Sequence, residues 1–251
     1  MIGEVDLRNG EAAGPFLFVC EHASNSIPAE FGNLGLDPAA REAHIAWDPG
    51  AIGLARALSD RLESPLVAGT TSRLVYDCNR PPDSPSACAG RSEIFEIPGN
   101  LDLDAEGRIT RTEKIYLPFQ AALTRQLART LARGRRPVLV TVHSFTPVWF
   151  GQTREVEFGI IHDTDASFAQ ALFDAARDLP LRAALNQPYS AADGVAHTLK
   201  LHATPHGLAH AMLEIRNDLL AGAAGQQAVA AHLADALTRA LQAMPALERI
   251  A

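Results

Sequence analysis

Cysteine is scarce in this chain: Cys20, Cys78 and Cys88 are the whole set. Three scattered thiols with no C-x-x-C pair cannot build a disulfide framework, and they fit reduced side chains in a cytoplasmic protein. Long apolar runs are missing too. No stretch reaches 18 consecutive apolar residues, so no segment reads as a membrane span. The first ten residues carry neither a basic n-region nor an apolar h-region, so no signal peptide is expected there. Basic charge is in deficit, with 22 Lys and Arg against 29 Asp and Glu and a formal net charge of −7. That balance excludes the clustered positive face that a nucleic-acid or membrane-surface partner requires. It leaves room for a small anionic substrate, because a pocket sets its own local charge. Internal repeats and low-complexity tracts are also absent.

What remains is an ordinary globular composition. The chain has 251 residues, of which 47% are apolar. That is enough for one sizeable core and short for two, so a single domain over 1–251 is expected.

Short continuous apolar runs punctuate the sequence. Residues 16–20 read as a strand buried on both faces and stop at Glu21-His22. Residues 65–69 and 72–78 read as strands. Val138 to Val142 is the clearest buried strand and stops at His143-Ser144, and 156–162 and 209–215 complete the set. Between them lie helical spacings over 37–62, 110–133, 165–178 and 224–243. Asp48-Pro49-Gly50 looks like a helix start, with Asp48 as the N-cap and Pro49 in the first turn. Residues 81–107, rich in proline, glycine, serine and acids, read as a long, mobile surface excursion near the site. Strands alternating with helices imply a three-layer αβα fold around a mostly parallel mixed sheet.

In such sheets the site lies beyond the carboxyl ends of the strands. Three strands end in chemically capable side chains: His22, His143 and Glu214. Two imidazoles and a carboxylate at one edge make a divalent-metal site with a nearby base. Taken singly, each of these histidines is more often structural. A second cluster is Ser72-Arg73-Leu74-Val75-Tyr76-Asp77-Cys78-Asn79-Arg80. As a strand it would put Arg73, Asp77 and Asn79 on one face, and its arginines suit a carboxylate through forked hydrogen bonds. A surface ion-pair cluster explains it equally well. Glu214, Arg216 and Asp218 would likewise share a face, either as an edge salt bridge or with Glu214 as a general base. The polar segment from Asp193 to His202 could close over a substrate. His162, His206 and His210 read as ordinary surface or core histidines.

Five blocks then occur in a telling order: Cys20-Glu21-His22-Ala23-Ser24-Asn25-Ser26-Ile27-Pro28, Ala46-Trp47-Asp48-Pro49-Gly50, Ser72 to Arg80, Val142-His143-Ser144-Phe145, and Leu213-Glu214-Ile215-Arg216. Together they resemble the N-formylglutamate amidohydrolase family over about residues 15–220. The Asp77-x-Asn79-Arg80-Pro81-Pro82 stretch is the most specific of them. That family is similar to zinc carboxypeptidases and aspartoacylase-like enzymes, which share a phosphorylase/hydrolase-like α/β fold. The resemblance implies a hydrolase that cleaves the amide of an N-formyl or other N-acyl acidic amino acid, with a divalent metal, zinc above all. It makes His22 and His143 metal ligands, Arg73, Asn79 and Arg80 the carboxylate clamp, and Glu214 the base. Arg216, Asn25 and Ser144, in the same blocks, join the substrate-binding set.

The sequence departs from the pattern at one ligand. The relatives carry a glutamate three positions after the first histidine, and here that position is Asn25. A neutral amide is a poor zinc ligand, so the resemblance points to Asp48 as the third ligand, with Glu21 as the alternative. Asn25 also keeps open a metal-free carboxylate-binding module, and the shared chemistry keeps open a carboxypeptidase-like peptidase. The Glu21-His22-Ala23-Ser24-Asn25 block further suggests a divergent branch with a substrate of its own.

Overall fold

The structure is a computed structural model that describes residues 4–245. The ends of the expected 1–251 unit, residues 1–3 and 246–251, lie outside the described residues.

Eleven strands are present among the described residues: β1 (Val5–Arg8), β2 (Phe16–Cys20), β3 (Leu66–Gly69), β4 (Arg91–Ser92), β5 (Phe95–Glu96), β6 (Val138–Phe145), β7 (Val148–Trp149), β8 (Gln152–Thr153), β9 (Phe158–Ile161), β10 (Ala183–Leu185) and β11 (His210–Arg216). The helices are α1 (Pro38–Glu42), α2 (Ala51–Arg61), α3 (Pro98–Leu101), α4 (Ala105–Arg111), α5 (Leu117–Ala132), α6 (Ser167–Ala176), α7 (His197–His202) and α8 (Gly222–Ala243). Seven strands form the central sheet in the order β1-β3-β2-β6-β11-β9-β10. β3, β2, β6 and β11 run parallel, whereas β9 is antiparallel to β11 and β1 is antiparallel to β3. This is the expected three-layer α/β architecture with a mostly parallel mixed sheet.

Alternation along each strand feeds two separate apolar layers, which is why the central strands read as unbroken apolar runs. Phe16, Phe18, Val138, Val140 and Val142 face one side, where they pack with residues of α2, α6 and α8. Leu17, Val19, Leu139 and Met212 face the other, against residues of α5 and α7 and the loops. His143 and Glu214 follow the parity of this second face, and the register pairs them directly across β6 and β11. Gly159 of β9 stands opposite Glu214 on the other side. A side chain at Gly159 would meet the Gln187 carbonyl at 2.0 Å and the Glu214 Cβ at 3.1 Å, so only glycine leaves space for both.

Several expectations need correction. Residues 72–78 form turns, not a strand, so the face-sharing argument for Arg73, Asp77 and Asn79 fails. The helix expected over 37–62 is two pieces, α1 and α2, with turns between them. Asp48 does not cap α2. Gly50 is the N-cap in the left-handed region at φ 82°, and no side chain caps that end. A carboxylate drawn toward two imidazoles cannot also turn back to the helix amides. The helix over 110–133 is α4 and α5 joined by a π-helical turn at Thr112–Tyr116. Residues 81–107 hold the β4–β5 hairpin and α3 and bury Ala87, Cys88 and Ile97, so they are packed structure and not a bare surface loop. The edge strands β1 and β10 escaped the sequence reading because they are short and only half-buried.

Candidate active site

β2 and β6 end side by side in the sheet, which delivers His22 and His143 to the same edge. Their ring centroids are 4.9 Å apart at an interplanar angle of 64°. Asp48 reaches them from the turn before α2, held there by its backbone N–H donating to the His22 carbonyl at 3.0 Å. Asp48 Oδ2 lies 3.2 Å from His22 Nδ1 and 2.8 Å from His143 Nδ1, and the two Nδ1 atoms are 3.2 Å apart. All three side chains are buried.

Carboxylates also stand by the outer ring nitrogens, hydrogen-bonded at His22 and at ion-pair distance without a hydrogen bond at His143. His22 Nε2 lies 2.7 Å from Asp77 Oδ1, and His143 Nε2 lies 3.2 Å from Glu21 Oε2. A carboxylate facing Nε2 favours, once a cation is bound, the tautomer whose Nδ1 lone pair can take it. The two Nδ1 atoms and a carboxylate oxygen form a triangle with edges near 3 Å. The edge of a tetrahedron around zinc with bonds of 2.0–2.1 Å is about 3.3 Å. The donor set therefore fits a zinc-sized divalent cation in both chemistry and spacing. His22, Asp48 and His143 form the one such cluster among the described residues.

Electrostatics around the triangle follow from burial opposed by close charges. Burial works against ionising Asp48, yet His22 and the hydrogen bonds with both rings hold its carboxyl well below the usual range. Asp77 is likewise depressed against its burial by Arg73, whose Nη2–H donates to Asp77 Oδ2 at 2.5 Å. Glu214 is the exception. Burial pushes it up to about 7, and Asp48 adds to that rise while His143, His22 and Arg73 oppose it. Its Oε2 has no hydrogen-bond partner. A buried carboxyl with a free oxygen and a pKa near neutrality is equipped to exchange a proton.

These groups open into a cavity of about 350 Å³ lined by His22, Asp48, His143 and Glu214 together with Arg73, Arg80, Asn79 and Ser144. Phe145, Trp149 and Tyr189 line it as well.

The model of the N-formylglutamate amidohydrolase family matches residues 14–221. The chain belongs to that family. As a member of the N-formylglutamate amidohydrolase family it is a hydrolase acting on an amide, and its three-layer fold is the one the sequence blocks implied. It is similar in structure to gene product Atu2144 of Agrobacterium tumefaciens, at 49% identity and a TM-score of 0.93, over 95% of this chain and 94% of that one. The N-formylglutamate amidohydrolase of Ralstonia eutropha JMP134 shares the fold at 19% identity and a TM-score of 0.64, over 96% and 97% of the two chains. No curated protein matches the chain.

Against this family frame, the residues singled out in the sequence divide into three groups. His22, Asp48, His143, Glu214, Arg73, Arg80, Asn79 and Ser144 meet around one cavity. Asn79 lines it with its amide already committed, donating to the Val195 carbonyl and accepting the Thr198 N–H. Ser144 donates its hydroxyl to the Pro49 carbonyl at 2.8 Å. Two residues are not brought in. The Asn25 amide donates to the Arg41 carbonyl and to Glu42. The Arg216 guanidinium pairs with Asp218 and Glu157, the edge salt bridge that was its plainer reading. Glu21, the alternative ligand, stands behind His143 and not beside its inner nitrogen. The sequence reading overlooked Tyr189 and Trp149. Tyr189 sits in a loop and Trp149 in the two-residue strand β7, where no periodicity reveals ring placement.

Proposed function

We propose that this family member is a metal-dependent amidohydrolase that removes an N-formyl, or other small N-acyl, group from an acidic amino acid such as glutamate. The observation that carries the reading is the inward convergence of His22 Nδ1, His143 Nδ1 and Asp48 Oδ2 beside a Glu214 oxygen with no partner. His22, His143 and Asp48 would hold the divalent cation, and two imidazoles with one carboxylate suit zinc. When bound, the cation supplies Lewis acidity that polarises a carbonyl and lowers the pKa of water.

Glu214 is the general base in this reading. It takes a proton from the attacking water as the new C–O bond forms at the acyl carbon. It then delivers that proton to the amide nitrogen as the C–N bond breaks, which frees formate and the amino acid. Arg80 receives the α-carboxylate of the substrate and thereby fixes the acyl carbon relative to Glu214. Arg73 faces the same cavity, and its charge favours the oxyanion that develops on the acyl oxygen. Asn79 and Ser144 act from behind, one tying the 195–198 segment to the Arg80 block and the other tying β6 to the turn that carries Asp48. The partner is a small anionic molecule, and the setting is cytoplasmic.

The test is release of formate from N-formyl-L-glutamate, with N-acetyl-L-aspartate and a C-terminal dipeptide assayed alongside. Turnover of the formyl compound that disappears with a chelator and returns with zinc supports the reading. Fully zinc-loaded protein that cleaves none of these compounds, or cleaves only the dipeptide, overturns it.

A further inference from the structure

Three arginines stand on or beside the cavity: Arg73 and Arg80 line it, and Arg154 packs against rings that line it. Arg73 is already paired, with Asp77 at 2.5 Å and with Asp48 at 3.4 Å. Arg80 and Arg154 are different. Arg80 donates to the Asn79 carbonyl at 2.9 Å, and Arg154 donates to the Thr146 carbonyl at 3.4 Å. Neither pairs with a carboxylate among the described residues.

Arg154 has unusual company. Its guanidinium carbon lies over the rings of Trp149 and Tyr189 at 5.0 Å from each centroid, and over Phe145 at 5.4 Å. All three rings line the cavity that contains Glu214. Aromatic faces hold a guanidinium through its flat side, by cation–π attraction and stacking. Ring contacts leave a guanidinium with N–H donors to spare, and such donors match a carboxylate in forked geometry. The backbone of Arg154 is secured independently of its side chain. Its N–H donates to the Pro147 carbonyl at 2.8 Å, and its carbonyl accepts from Arg216 at 3.3 Å. The guanidinium is therefore presented by a fixed backbone against the aromatic wall.

A dicarboxylate substrate needs two unpaired cations on different walls. We propose that Arg154 is the specificity-determining residue that receives the side-chain carboxylate of an acidic N-acyl amino acid, while Arg80 takes the α-carboxylate. This rests on the amide-hydrolase reading above and deepens it by naming the group that selects acidic over neutral substrates.

The experiment compares zinc-loaded wild type, R154M and R154K on N-formyl-L-glutamate and on N-formyl-L-glutamine, its neutral isostere. Wild type is expected to favour glutamate in kcat/KM by roughly 30-fold or more, the scale of one desolvated charge pair. R154M should lower kcat/KM for glutamate at least about tenfold more than for glutamine, mainly through KM. R154K should recover part of the preference, because a point charge remains without the fork. Equal losses on both substrates in R154M, or no preference in the wild type, would overturn the assignment while leaving the hydrolase intact. If R80M abolishes the preference and R154M does not, the assignment also falls. Wild type inert on both compounds would sink the hydrolase reading itself, and this assignment with it.

Discussion

His22 and His143 bring their Nδ1 atoms to 3.2 Å of each other although 121 positions separate them in the chain. Both ring nitrogens also touch one carboxylate oxygen of Asp48, at 3.2 Å and 2.8 Å. The carboxylates of Asp77 and Glu21 stand behind the two rings, at 2.7 Å and 3.2 Å.

Metal removal is the first consequence. Dialysis against a chelator should abolish amide hydrolysis, and zinc at a thousandfold excess over its Kd should raise stability by about 4 kcal/mol. Thermal unfolding with and without zinc reads this directly. His22→Ala should show no such gain.

The outer carboxylates should act through the ligands. Glu21→Gln and Asp77→Asn each keep the shape but weaken the hold on the ring proton. Zinc affinity, measured by competition with a chromophoric chelator, should fall by about 10- to 100-fold in each. An unchanged affinity in both variants would show that the ring orientation is set by packing alone.

Glu214→Gln should lower kcat by about 100-fold or more with little change in KM. The pH profile carries the sign. Burial raises Glu214 to about 7, and the working form is the deprotonated one. Activity should therefore fall as pH drops through the Glu214 pKa, and the positive charge of a bound cation moves that limb to lower pH. A kcat/KM profile of the wild type that stays flat from pH 8 down to 5 would contradict the base assignment.

Arg73 and Arg80 should separate cleanly. Arg73 neutralises two buried carboxylates, so Arg73→Met leaves them uncompensated and should cost about 3 kcal/mol of stability in urea unfolding. Arg80 is in no such pair, so Arg80→Met should raise KM for the formyl amino acid with little loss of stability.

The sequence was most informative where apolar runs end. β2 and β6 are buried on both faces, so their residues are mostly continuous apolar stretches, and the polar side chains near their carboxyl ends are conspicuous. His22, His143 and Glu214 were visible for that reason. Arg216 and Asn25 were misread because a motif shows which residues are near the site in the chain but not which way they point. Arg216 lies one strand repeat beyond Glu214 and turns to Asp218 and Glu157 at the sheet edge. Asp48 reads in the sequence both as a ligand and as a helix cap; the fold gives the cap position of α2 to Gly50 and turns the Asp48 carboxylate to His22 and His143.

Apolar patterning by itself determined the central strands of the sheet, the layered class of the fold and the edge where chemistry collects, because burial on two faces leaves a local, periodic record in the chain. The pairing of each imidazole with an outer carboxylate, the commitment of Asn79 to the 195–198 segment and the aromatic seat of Arg154 were decided by tertiary structure alone. Those contacts join loops far apart in sequence, and no local spacing encodes which way a loop side chain will turn.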